Sequence, residues 1–162
     1  MESSGEPFLA WPAPAELRRS LGLSFALCFL FLIVYGGADL ITGLHGRRVR
    51  VHMDWELGIP FVAPMAAVYL SLNIMLGLAP WILRERESFM RLVRALTAEL
   101  LVAGACFILL PAELAFETPQ VEGVWKPVFL LADTVNLTHN MFPSLHGAFA
   151  VTGAALLGER RG

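Results

Sequence analysis

Ser144 and His146 stand two residues apart in the segment 140–147, Asn-Met-Phe-Pro-Ser-Leu-His-Gly, which precedes a final apolar run over 148–157. Asn140 is of the type that caps helix N-termini, and Pro143 is tolerated in a first turn, where its missing N–H would have no partner anyway. Ser144 and His146 are therefore predicted in the first turn of a helix. Unpaired backbone N–H groups and the positive end of the helix dipole make that place favourable to an anion such as phosphate. A serine hydroxyl donates to a phosphate oxygen, and an imidazole passes a proton to a leaving group. A serine and a histidine without chemistry also begin membrane helices, so the surroundings of the pair decide between the two readings.

Those surroundings are apolar. A chain of 162 residues has room for one domain. Its hydrophobic fraction of 56% exceeds that of an ordinary soluble domain, and the apolar residues are gathered into long runs. A polytopic, all-α membrane protein is the expected class. The net charge of -2 gives no hint of nucleic acid. Cys28 and Cys106 each lie inside an apolar run and read as small buried hydrophobes, not as a disulfide or a metal site.

Residues 1–20 read as a polar tail with Pro7, Pro12 and Pro14 and with Arg18 and Arg19 at its end. The first apolar run, about 21–41, offers a small-residue site at 36–38 where a signal peptide would be cleaved. With more spans following, an uncleaved first span is preferred. The loop 42–58 holds His45, Arg47, Arg48, Arg50, His52, Asp54 and Glu56. It lacks tight ligand spacing and reads as a solvated interfacial loop whose arginines meet lipid head groups. A second span is predicted over about 59–83, with Pro60 and Pro64 at its start, Pro80 near its end, and Trp55 and Trp81 as an aromatic belt. Tyr69, Ser71 and Asn73 inside it read as inter-helix hydrogen-bonding residues. A third span is predicted over about 92–110, with Glu99 snorkelling or pairing with a nearby arginine. The stretch 124–135 is too short to cross about 30 Å and reads as re-entrant or interfacial. The last span, about 142–158, starts at the Ser144–His146 segment, and 159–162 form a cytoplasmic end. With the N-terminus inside, eight arginines fall on inner segments and four cationic residues on outer ones, which the positive-inside rule favours. The Ser144–His146 segment then faces the periplasm or exterior.

Phe-Pro-Ser-Leu-His over 142–146 resembles the second motif, Pro-Ser-x-His, of the type-2 phosphatidic acid phosphatase superfamily. The version here is most similar to the branch related to inositol phosphorylceramide synthase. The pattern Ile-Pro-Phe-Val-Ala-Pro over 59–64, with Tyr-Leu-Ser over 69–71, is similar to a helix of bacterial members. The resemblance covers about 59–157. It implies that His146 is the general acid that protonates the leaving group and that Ser144 helps to hold the phosphate. It implies no metal and no cofactor. The family's first motif, Lys-x6-Arg-Pro, would fall on 111–119, but Pro111 stands in place of the lysine and Thr118 in place of the arginine. Charge-assisted hydrogen bonds are roughly twice as strong as neutral ones, so Thr118 is a weak replacement. Lys126 is the candidate to supply a cation instead. Asp133 and His139 flank the segment, and His139 reads as a hydrated loop residue.

The family's third motif, Ser-Arg with a later His and Asp, supplies the nucleophilic histidine, and these 162 residues do not contain it. The expectation is four transmembrane helices of an incomplete six-helix phosphatase-like bundle, with a missing C-terminal part or a partner chain completing it. The expected function is a lipid phosphate phosphatase or phosphotransferase acting on the extracytoplasmic face of a cytoplasmic or inner membrane. The alternative is a non-catalytic membrane scaffold or binding protein that keeps the front half of the fold. A small transporter-like protein rests on span count alone.

Overall fold

The computed structural model describes residues 12–114, 116, 119–136, 140 and 142–158, apart from the Leu157 side chain. The described residues form helices and loops, without a strand. Helix α1 (Pro14–Phe31) opens on a proline, whose fixed φ suits a first turn. A π-helical turn, Leu32–Gly36, joins it without a break to α2 (Gly37–Gly43). Then follow α3 (Met65–Ile82), α4 (Arg86–Leu109), the short α5 (Lys126–Val135) and α6 (Leu145–Gly158).

Three helical runs are long and apolar enough to cross a membrane: Pro14–Gly43, Met65–Ile82 and Arg86–Leu109. They are apolar on the outside as well as the inside. Phe25, Phe29 and Leu32 on the first run, Val68 and Ile74 on α3, and Val102 and Leu109 on α4 are all exposed. Helices apolar all round are compatible with an integral membrane protein. The bounds differ from those predicted. The first helix starts within the expected tail, and α4 takes in Arg86 and Arg91, before the start predicted at about 92. The segment 59–64 lies outside α3, because closely spaced prolines at 60 and 64 push the residues before them out of the helical region. Helix α6 is apolar but has 14 residues, about 21 Å at 1.5 Å per residue, against a hydrocarbon core of roughly 30 Å. Among the described residues there are three helices of spanning length where the sequence predicts four.

Helix α4 is the centre of the packing. Phe89, Leu92, Leu96, Leu100, Ala103 and Phe107 recur at intervals of three and four, so they share one stripe, and all are buried. Helices α1, α2 and α6 pack against α4, while α3 packs against α1, α5 and α6. Tyr35, in the π-helical turn, stacks on Phe31 at 4.8 Å and meets Phe107 edge-on at 5.8 Å. Thr42, fully buried on α2, donates its hydroxyl to the Phe107 carbonyl at 3.1 Å. The loop after α2 is tied down as well: Val49 exchanges backbone hydrogen bonds with Pro111 and Glu113 at 2.8 and 2.9 Å. Arg50 in that loop pairs with Asp54.

Glycine matters at two close approaches. A Cβ at Gly104 would lie 2.5 Å from Cγ1 of Val34, and a Cβ at Gly153 would run into Cε of Met75. Valine is stiff at χ1, whereas the end of a methionine swings aside at little cost. Gly104→Ala is therefore expected to destabilise the protein by about 1–3 kcal/mol, the range for overpacking, and Gly153→Ala by less. Unfolding of the purified variants in detergent checks the order, and Val34→Ala in the Gly104→Ala background should recover most of the loss.

Candidate functional site

Two histidine neighbours decide the start of α6. Pro143 disfavours helical backbone at Phe142, so a helix cannot run through that pair from Asn140. The helix begins at Leu145 instead, with Ser144 as its cap. The Gly147 N–H donates to Ser144 Oγ at 3.2 Å, and the Ala148 N–H to the Ser144 carbonyl at 3.1 Å. This corrects the sequence expectation, which gave the cap to Asn140 and put Ser144 inside the first turn. The corrected start keeps His146 in the first turn. Ser144 is exposed, and its hydroxyl proton remains available to a ligand while its oxygen caps the helix.

Asn140 has another task. It is buried, and its Nδ2 donates to the Tyr35 carbonyl at 2.7 Å across 105 residues of sequence. A π-helical turn disturbs the regular helix ladder, and here an amide from a distant loop meets the carbonyl. The contact anchors the segment before α6 to the first helix.

His146 is half-buried and lies against Tyr69 of α3. The two rings stack with centroids 3.8 Å apart and planes 19° apart. Tyr69 Oη is 2.9 Å from His146 Nδ1, and its hydroxyl donates to Asn136 Oδ1 at 3.3 Å. Asn136 is the residue that ends α5. Helices α3 and α6 thus meet at the imidazole, and the end of α5 is joined to them through Tyr69. His146 Nε2 has no partner among the described residues. Deeper in the bundle, Thr152 of α6 donates its hydroxyl to Glu99 Oε1 of α4, and Glu99 Oε2 is buried without a partner among the described residues. Glu99 therefore turns inward to α6, where the sequence predicts snorkelling or pairing with a nearby arginine.

The structure brings Ser144 and His146 together and adds Tyr69 and Asn136, which sequence reasoning assigned no part in the site. Tyr69 was visible as a polar residue deep in an apolar helix, yet nothing in sequence shows which helix it faces. Asn136 carried no signal at all. Lys126 is exposed at the first position of α5, at the opposite end of that helix from Asn136, about 15 Å away along its axis. No contact described joins it to His146. Thr118 and His139 lie outside the described residues. No protein-family model matches this sequence, and no curated protein or solved structure matches the chain.

Capping and ligand binding by Ser144 are separable. Ser144→Ala is expected to lower stability by about 1 kcal/mol through loss of the cap, and Ser144→Asp to keep the cap while placing a negative charge where an anion would sit. Thermal unfolding by circular dichroism checks the first effect and the retained cap.

Proposed function

We propose that the chain is an integral membrane protein carrying the front part of a lipid phosphate phosphatase or phosphotransferase of the type-2 phosphatidic acid phosphatase superfamily. The observation that supports this most is the start of α6. A serine-capped helix N-terminus, the positive end of the α6 dipole, holds a half-buried histidine in its first turn. In this reading α6 is the fourth span, and its N-terminus lies on the extracytoplasmic side.

The chemistry assigned to these residues is phosphoryl transfer. Ser144 and the α6 N-terminus bind the phosphate of a lipid head group. As the bond from phosphorus to the leaving oxygen breaks, protonated His146 gives its Nε2 proton to that oxygen. The group that attacks phosphorus is a second histidine, outside these 162 residues, on further sequence or on a partner chain. In this reading the cation that balances the phosphate charge is assigned to that same completing part and not to Lys126.

The second reading is a non-catalytic protein that binds a lipid phosphate at the same place. It is favoured by Pro111 and Thr118, which stand where the family has its two phosphate-binding cations.

His146→Ala separates them. Phosphate release from phosphatidic acid, measured in proteoliposomes of the completed protein, is expected to fall on the order of 100-fold or more, the low end for general acid catalysis, with membrane insertion unchanged. Equal release by parent and variant removes the catalytic assignment. Saturable binding of phosphatidic acid without release establishes the binding-protein reading.

A further inference from the structure

We propose that the chain pairs with a second copy of itself through an outer face of α3, with Asn73 of one copy bonded to Asn73 of the other. Helix α3 has 18 residues and is one of the three runs of spanning length. Asn73 lies at its middle, about 12 Å from its start at 1.5 Å per residue. It is exposed, and its carboxamide has no partner among the described residues. Ser71 is exposed too but is satisfied inside the helix, because its hydroxyl donates to the Val68 carbonyl at 2.6 Å. In the middle of a span no water reaches an amide, and an unmatched one is penalised. The asparagine side chain is too short to reach the head groups, unlike lysine or arginine, which snorkel. Its partner therefore comes from another helix.

A second copy supplies the match by the chemistry of the group itself. A carboxamide carries both donors and an acceptor, so two asparagines facing each other across a two-fold axis each donate to the other's oxygen. Copies inserted in the same orientation carry Asn73 at the same depth. The surroundings of Asn73 fit such an axis. Ala66, Leu70, Asn73 and Gly77 follow one another at intervals of four, three and four, so they share one stripe. None of the four is buried, whereas Leu72 and Ala79, which turn toward the bundle, are. At Gly77, one turn from Asn73, a Cβ would find nothing within 4 Å. A facing backbone can come close there, and close approach brings two short amides within hydrogen-bond reach. Ile74 beside the stripe is exposed and offers apolar contact to the other copy. The pairing rests on the reading of α3 as a membrane span, and it is independent of any chemistry at His146.

The test uses the full chain in liposomes. Energy transfer between donor-labelled and acceptor-labelled copies is measured as lipid dilutes the protein. The parent is expected to show transfer that falls on dilution along a monomer–dimer curve. Asn73→Leu is expected to weaken association on the order of tenfold, from the loss of inter-helix hydrogen bonds. Leucine suits an exposed position on a membrane helix, so the variant should fold, which unchanged helical circular dichroism verifies. A second measurement replaces Cys28 and Cys106 by alanine and introduces Asn73→Cys. At high protein-to-lipid ratio, oxidation is expected to link two copies at that position. Val68→Cys, on a different exposed side of α3, is expected not to link. A parent that stays monomeric at every dilution overturns the pairing and leaves the face to a different helix. Association that Asn73→Leu leaves unchanged overturns it as well. Association lost in Asn73→Leu without a cross-link at position 73 overturns the two-fold contact. A chain that alkaline carbonate strips from the membrane overturns the membrane reading and the pairing together, whereas a retained monomer overturns the pairing alone.

Discussion

Every polar group on the inward sides of these helices has to find its partner within the chain. Helices apolar on all sides offer no water to take a stray hydrogen bond, and a polar group left unmatched in apolar surroundings is penalised by several kcal/mol. The backbone solves this by being helical along the long apolar runs. The side chains solve it in pairs between helices: Thr42 with the Phe107 carbonyl, Asn140 with the Tyr35 carbonyl, Thr152 with Glu99, Tyr69 with His146. Each pair links elements far apart in sequence and fixes their rotation about their own axes. Apolar packing alone leaves that rotation weakly specified, since a leucine on any face would do.

The candidate site is a by-product of this pairing. Asn140 ties the loop before α6 to the π-helical turn of the first helix, which sets where α6 can begin. Ser144 then closes the N-terminus of α6, and His146 arrives against α3 one turn in. Tyr69 meets it there because α3 packs against both α5 and α6. Close approach is permitted by Gly104 and Gly153, where neighbouring side chains occupy the space of a missing Cβ. The imidazole is thus held against the Tyr69 ring on one face while its Nε2 stays free. Glu99 Oε2, buried beneath, and Asn140 Oδ1 in the loop before α6 are among the places where the rule of internal partners is broken within the described residues.

Helical class, the apolar character of the long helices and the segment that holds Ser144 and His146 were legible in the sequence. Run length and hydropathy are local properties, and the penalty on an unpaired backbone in an apolar setting leaves helix as the answer. Helix ends were less legible. The sequence does contain the reason that α6 starts at Ser144: the residue before a proline avoids helical backbone. Asn140, a plausible cap by type, hid it. The reach of α4 back through Arg86 and Arg91 was hidden by their charge, although arginines are good helix formers and polar residues are common in a first turn.

Which polar residues meet was decided by tertiary structure. Tyr69 reached His146 and Asn136 reached Tyr69, Glu99 found Thr152 where snorkelling or an arginine was expected, and Lys126 came to stand at the far end of α5 from Asn136. The physical reason is that a hydrogen bond acts over about 3 Å, while the order of residues fixes only neighbours along the chain. By itself the sequence determined what kinds of groups are available and that they sit among apolar helices. Only the packing of those helices, with their mutual rotation, determined that one histidine would keep a nitrogen free.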